Sequence, residues 1–163
     1  MKKNILIFLL GATAVIALDQ ISKCAITSRF VMHESYPVIN GLFNLVYVMN
    51  PGAAFGFLAN APEIFRYIFF TSVTILALVL ILYYLVKHQP QGLRLVCALT
   101  LIFAGAVGNL IDRLRFGAVV DFLDVYIGTA HWPAFNVADS AISIGAVLMI
   151  WDMIANRKKG KES

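Results

Sequence analysis

Charge is scarce in this chain. Only 13% of its 163 residues are Asp, Glu, Lys or Arg, against about 25% in an average soluble domain, whereas 60% are hydrophobic and the mean hydropathy is +0.81. That shortage excludes a disordered chain and an ordinary cytosolic domain. It also excludes a nucleic-acid binder, which needs a basic, water-facing surface. Cysteine is equally sparse: Cys24 and Cys97 both lie in apolar runs that the topology below sets at opposite ends of a bilayer. A disulfide needs Cα atoms within about 7 Å, so both are expected to be small packing residues. The three histidines, His33, His88 and His131, are scattered, and neither His-Glu-x-x-His nor Gly-x-Ser-x-Gly occurs. A catalytic zinc site and a serine elbow are therefore not expected, and no cofactor is implied.

What the chain does have is long apolar runs. Residues 5–27 are broken only by Asp19 and Lys23, residues 67–86 carry no charge, residues 95–111 are apolar, and residues 132–151 contain the single charge Asp139. About 20 residues at 1.5 Å each cross a bilayer core of about 30 Å, and a span without water must satisfy its own backbone. The spacing predicts an all-α polytopic membrane protein with transmembrane helices over about 5–27, 64–86, 94–114 and 136–155. Loops over 28–63 and 115–135 complete a single membrane domain, 1–163. Four helices put both termini on one side.

Loop charge says which side. Lys2, Lys3, Lys87, Arg94, Arg157, Lys158, Lys159 and Lys161 fall on one face, and Lys23, Arg29, Arg66, Arg113 and Arg115 on or near the other. The positive-inside rule makes the termini and the 87–94 loop cytoplasmic, and the two long loops extracytoplasmic. Lys2, Lys3 and the run 5–10 also look like the start of a cleavable signal peptide, whose loss would leave three spans. Cys24 does not read as a lipoprotein attachment site, because Lys23 precedes it where a small residue is needed.

The first long loop should hold structure of its own. Val38-Ile39-Asn40-Gly41-Leu42-Phe43 sets Asn-Gly between apolar residues, a strong hairpin signal because both accept positive φ. A small extracytoplasmic β element is expected. The segment Asn50-Pro51-Gly52-Ala53-Ala54-Phe55-Gly56 then breaks the chain and leads into a short apolar piece at the interface.

Ionisable groups in or near spans are functional candidates by default. Asp19 and Lys23 are four apart and can pair on one helix face. Asn109, Asp112 and Arg113 share one end of the third helix, where an Asp112–Arg113 bridge is expected. Asp139 follows Asn136 by three residues, so an Asn136 cap would hold it in the first turn of the fourth helix. Asp121 comes a few residues after the third helix. The two acids can reach one height, and two carboxylates in a dry site do not easily ionise together, which suits an aspartyl protease. An N-terminal helix acid and a solvated loop acid would be the plainer roles for them. Other arrangements are a Ser140–Lys23 dyad and a divalent-cation site of Asp112, Asp121, Asp124 and Asp139.

Five blocks point further. Asp19-Gln20-Ile21-Ser22-Lys23, the Asn50 to Gly56 segment, Gly105-Ala106-Val107-Gly108-Asn109-Leu110-Ile111-Asp112-Arg113, Val120-Asp121-Phe122 and Phe135-Asn136-Val137-Ala138-Asp139 resemble, in order and over nearly the whole chain, lipoprotein signal peptidase, the bacterial type II signal peptidase. The resemblance implies a multi-pass aspartyl endopeptidase of the bacterial inner membrane. Its partners would be membrane lipid and prolipoproteins bearing a diacylglyceryl thioether on the cysteine after the scissile bond. It carries over catalytic roles to Asp121 and Asp139, and supporting roles to Asp19, Lys23, Asn50, Gly52, Gly105, Asn109, Asp112, Arg113, Asn136 and Ala138. It further implies a β cradle, a short interfacial helix near 53–58, a retained first helix, and no metal or cofactor. Pro51 departs from what relatives often carry, which touches only local loop geometry. A small proton- or ion-coupled transport protein, working as a carboxylate relay, is the reading from another class, and a lipid-binding scaffold is a third. Transport sites favour the midplane between repeats, whereas these acids crowd one end and no repeat is visible.

Overall fold

The computed structural model describes residues 2–52, 58, 61–88, 90 and 92–159. The interfacial helix expected at 53–58 lies outside the described residues but for Leu58. The apolar runs form α1 (Lys2–Arg29), α2 (Glu63–His88), α3 (Leu93–Phe116) and α4 (Val137–Lys159), each with a stretch long and apolar enough to cross a membrane. Between them come β1 (Ser35–Ile39) and β2 (Phe43–Asn50), then β3 (Val119–Ile127) and β4 (Ala130–His131). The strands pair antiparallel in the order β1-β2-β3-β4 at the end of the bundle opposite both termini.

The central helix is α3, which packs against α1, α2 and α4, while α2 touches α3 alone among the described helices. Its buried positions include Ala98, Ala104, Gly105, Ala106 and Gly108. Apolar burial does not drive helix association in lipid, so close backbone approach through small residues has to supply the contact. A Cβ at Gly105 would fall on the carbonyl oxygen of Ala138, and one at Gly145 would stand 2.8 Å from the carbonyl oxygen of Ala98. At Gly108 the same atom would come within 2.6 Å of the Asp19 carboxylate. The α3–α4 seam is thus fixed at glycine separation, close enough for polar groups of α1, α3 and α4 to meet. Outward positions such as Ile64, Ile68, Leu80 and Val86 on α2 stay exposed and apolar, as a lipid-facing surface requires.

At the end of α3, Gly117 takes the left-handed conformation at φ 73° and donates its N–H to Arg113 O at 2.9 Å, ending the helix and turning the chain straight into β3. Asp121 is therefore a strand residue, not the loop acid its sequence position suggests. The expected hairpin forms around Gly41, φ 81°, with a loop over residues 40–42 that takes in Leu42 beyond the Asn-Gly pair. Between β2 and β3 the register shifts between Leu45 and Val48, a bulge that sets Val48 opposite Asp121 and Asn50 opposite Val119, within diagonal reach of the Asp121 side chain. At the far end, Arg94 lies over the Trp151 ring at 4.5 Å and 3.9 Å from Asp152, and Cys24 and Cys97 are both free thiols.

Candidate active site

A buried ammonium group organises the polar interior. Lys23 on α1 places Nζ 2.9 Å from Asp19, 2.8 Å from Asp112 and 3.0 Å from Asn109 Oδ1, so its three protons have three acceptors. Asp19 is fully buried and also accepts the N–H of Ala138 at 2.9 Å, so a carboxylate of α1 caps the open N-terminus of α4. Asp112 accepts the N–H of Val120 at 3.1 Å and thereby ties α3 to β3. The Gln20 amide lies between the two acids, 3.1 Å from each. Gln20 stands beside Asp19 in the first block and was not among the expected site residues. Only its cross-helix contacts reveal it.

The expected Asp112–Arg113 bridge does not form. Adjacent helical residues point about 100° apart, and Asp112 turns inward to Lys23. Arg113 instead donates to Asn109 O at 3.4 Å and holds its guanidinium 5.7 Å from the Phe70 ring centre on α2. Neither the Ser140–Lys23 dyad nor the four-acid cation site assembles. Ser140 donates its hydroxyl to Asn136 O at 2.9 Å while Lys23 is engaged elsewhere. Asp112 faces Lys23, and Asp124 faces Asn44 and His131 at the sheet, so the four acids do not converge on one point.

Asp121 and Asp139 do come together. Asn136 caps α4: its Oδ1 accepts the N–H of Asp139 at 2.9 Å, and its own N–H reaches Asp139 Oδ2 at 3.3 Å, a reciprocal capping pair. Its side-chain amide donates to Asp121 Oδ1 at 2.7 Å and to Val120 O at 3.2 Å. One asparagine thus holds both carboxylates. Asn109 donates to Asp139 Oδ1 at 2.8 Å, and Lys23 on its Oδ1 fixes which way that amide faces. On the far side of Asp121, Asn50 donates to Oδ2 at 2.9 Å, with its own amide oriented by the Gly52 N–H at 3.0 Å. Both carboxylates line one cavity of about 680 Å³, together with Asn50, Gly52, Asn109 and Arg113. Burial pushes the Asp121 carboxyl up to about 7, helped by the nearby charge of Asp139, while hydrogen bonds from Asn50 and Asn136 pull the other way.

Below the acids the cavity continues among α2, α3 and α4 along Phe70, Ala77, Ile102, Ala106 and Ser143, with Trp132, Pro133, Ala134 and Phe135 forming a wall. That strap falls within a segment expected to be loop or helix end, and composition gave no sign of its role. Apolar helices, a polar interior confined to the sheet end and an acid-lined cavity opening between helices define the chain as a multi-pass membrane protein with an enzyme-like pocket.

A protein-family model described as signal peptidase (SPase) II matches residues 11–155. The lipoprotein signal peptidase of Syntrophus aciditrophicus is 57% identical over 159 residues, covering 98% of this chain and 99% of that relative. The lipoprotein signal peptidase of Janthinobacterium sp. (strain Marseille) is 56% identical over 154 residues, covering 93% and 90%. A solved bacterial membrane enzyme superposes with a TM-score of 0.85 at 36% identity, covering 96% of this chain and 92% of its own. The chain belongs to the signal peptidase II family, and is a protease.

Proposed function

We propose that this chain is an aspartyl endopeptidase of the bacterial cytoplasmic membrane that removes signal peptides from diacylglyceryl-modified prolipoproteins, cutting just before the lipidated cysteine. The observation that carries the reading is the pair Asp121 and Asp139, brought from β3 and α4 onto one asparagine and into one cavity. One carboxylate, ionised, takes a proton from water as the water oxygen bonds to the peptide carbonyl carbon. The carbonyl electron pair moves onto oxygen, where the O–H of the protonated partner donates to it. Collapse restores the carbonyl, breaks the C–N bond and delivers a proton to the leaving nitrogen. The products are a signal peptide with a new carboxylate and a lipidated cysteine with a free amino group.

Asn50, Asn109 and Asn136 hold the acids, Arg113 faces the substrate cavity, Gly52 orients Asn50, Gly105 lets α3 close on Ala138 of α4, and Asp19, Lys23 and Asp112 tie α1 and α3 to α4 and β3. Loop charge puts the termini in the cytoplasm and the acids near the extracytoplasmic face. The chain works as one membrane domain, 1–163, and as a monomer, with no metal or cofactor in the steps. Cleavage of a purified lipidated precursor tests the reading: mass spectrometry should find the new amino terminus on the lipidated cysteine, in the presence of a chelator as in its absence. An uncut precursor, or cutting at another bond, would overturn it.

The raised Asp121 carboxyl carries a pH signature. Below about 7 the group holds its proton and the pair has the donor that cleavage needs; above it the donor is lost. The value of kcat/KM should therefore fall as pH rises through about 7, approaching tenfold per unit. Asn50 donates to the ionised form, so Asn50→Ala raises the carboxyl further and should move that alkaline limb upward by about half a unit or more. Initial rates measured across pH 5 to 9, a range of about four units around the ordinary enzyme optimum, check both.

A further inference from the structure

On β3, Asp124 stands three residues beyond Asp121, so the strand's alternation turns it to the opposite face from the cavity. It is buried there, and its carboxylate contacts His131 Nδ1 on β4 at 2.8 Å and 3.1 Å and accepts from Asn44 Nδ2 on β2 at 2.9 Å. The half-exposed His131 ring lies on the Tyr126 ring, 4.7 Å between centroids and 6° from parallel. Tyr126 in turn accepts the N–H of Gly41 at the hairpin tip, at 2.9 Å. One linked set of side chains therefore joins the hairpin, β2, β3 and β4.

The residue after His131 begins the strap over residues 132–135 that walls the cavity and ends at Asn136, the holder of both acids. Backbone bonds tie the strap to β3 at both ends: the Trp132 N–H donates to Val125 O at 2.8 Å, and at Phe135 the N–H donates to Leu123 O at 3.1 Å while the carbonyl accepts from Phe122 N at 3.0 Å and Leu123 N at 2.8 Å. Between those ends Pro133 has no N–H to donate. At the outer end the Asp124–His131 contact adds a side-chain tie to the backbone pairing of β3 with β4.

We propose that His131, clasped to Asp124, is a positioning residue that sets the cavity wall over residues 132–135 and so governs how tightly the substrate peptide is held. The inference rests on the reading that the peptide occupies this cavity. Losing the clasp weakens binding and leaves the acid pair, fixed separately through Asn50, Asn109 and Asn136, able to turn over whatever binds.

Steady-state cleavage of a diacylglyceryl-modified precursor peptide by the purified full chain tests it. His131→Leu should raise KM about tenfold with kcat within about twofold. His131→Asn sets an amide N–H where Nδ1 was and should return KM to within about threefold of wild type. The Asp124→Ala/His131→Leu double variant should be no worse than Asp124→Ala alone, because without Asp124 the His131 ring has already lost its partner. Mere loss of folded enzyme lowers apparent kcat and leaves KM alone; that pattern in His131→Leu, additive effects in the double variant, or no rescue by His131→Asn would each overturn the clasp. Asp121→Asn, run alongside, reports on the acid pair independently. A dead Asp121→Asn with unchanged KM in His131→Leu defeats the clasp only, and an active Asp121→Asn defeats the aspartyl reading only.

Discussion

Asp121→Asn and Asp139→Asn should each lower turnover of a lipidated precursor by about 10³-fold or more, with the variant still inserted and folded. Either substitution keeps the shape of the side chain and removes the proton chemistry: an amide can neither take a proton from water nor serve as the acid partner. General acid–base groups contribute about 10²- to 10⁴-fold each, and a pair acting as a unit loses most of its effect when one member goes. For the same reason Asp121→Asn/Asp139→Asn should be little worse than either single variant. Each amide keeps one acceptor oxygen, enough for one of the two donors at position 121 and for Asn109 at position 139, so the change removes about one hydrogen bond at each site and leaves the packing unchanged. Precursor cleavage followed by gel shift, with thermal unfolding of each purified variant as the folding control, makes the measurement. Turnover within tenfold of wild type would remove the acids from the chemistry.

The second large effect concerns stability. Lys23→Met leaves Asp19 and Asp112 buried without their cation and frees the Asn109 amide to rotate. Breaking a buried ion pair by removing one partner costs about 3–5 kcal/mol, because the remaining charges stay unpaired in a dry site. Here two carboxylates are stranded, so the variant should unfold at markedly lower temperature or lower denaturant than wild type. Neutralising them as well, in Lys23→Met/Asp19→Asn/Asp112→Asn, should restore much of that stability, since both amides can still accept the backbone N–H groups of Ala138 and Val120. Unfolding followed by tryptophan fluorescence distinguishes the two variants. Equal stability in all three proteins would mean that the ammonium is a bystander.

Much of this architecture is legible from sequence, for a physical reason. A span must be apolar and must bond its own backbone, so α1 to α4 stand out as runs, and the Asn40-Gly41 turn announces its hairpin through the one conformation that few residues accept. The Asp19–Lys23 pair and the Asn136–Asp139 cap are both set by spacing along one helix, which sequence records directly. Strand β3 was not legible: Val119 to Phe122 are buried on both faces, so the period-2 alternation that marks a half-exposed strand is missing. Contacts between elements were equally out of reach. Nothing local says that Asp112 turns from Arg113 to Lys23, that Gln20 joins the two buried acids, or that His131 meets Asp124 across the sheet.

Central to everything is the claim that Asp121 and Asp139 act together on one reacting centre. The most direct measurement is the affinity of a lipidated peptide whose scissile amide is replaced by a secondary alcohol, which imitates the tetrahedral intermediate and sits between two carboxylates sharing a proton. Against the same peptide with a methylene in place of the alcohol, the account predicts binding about 10²-fold tighter to wild type, an advantage abolished in Asp121→Ala and in Asp139→Ala alike. Equal affinity for the two peptides, or an advantage that survives loss of either acid, would contradict it.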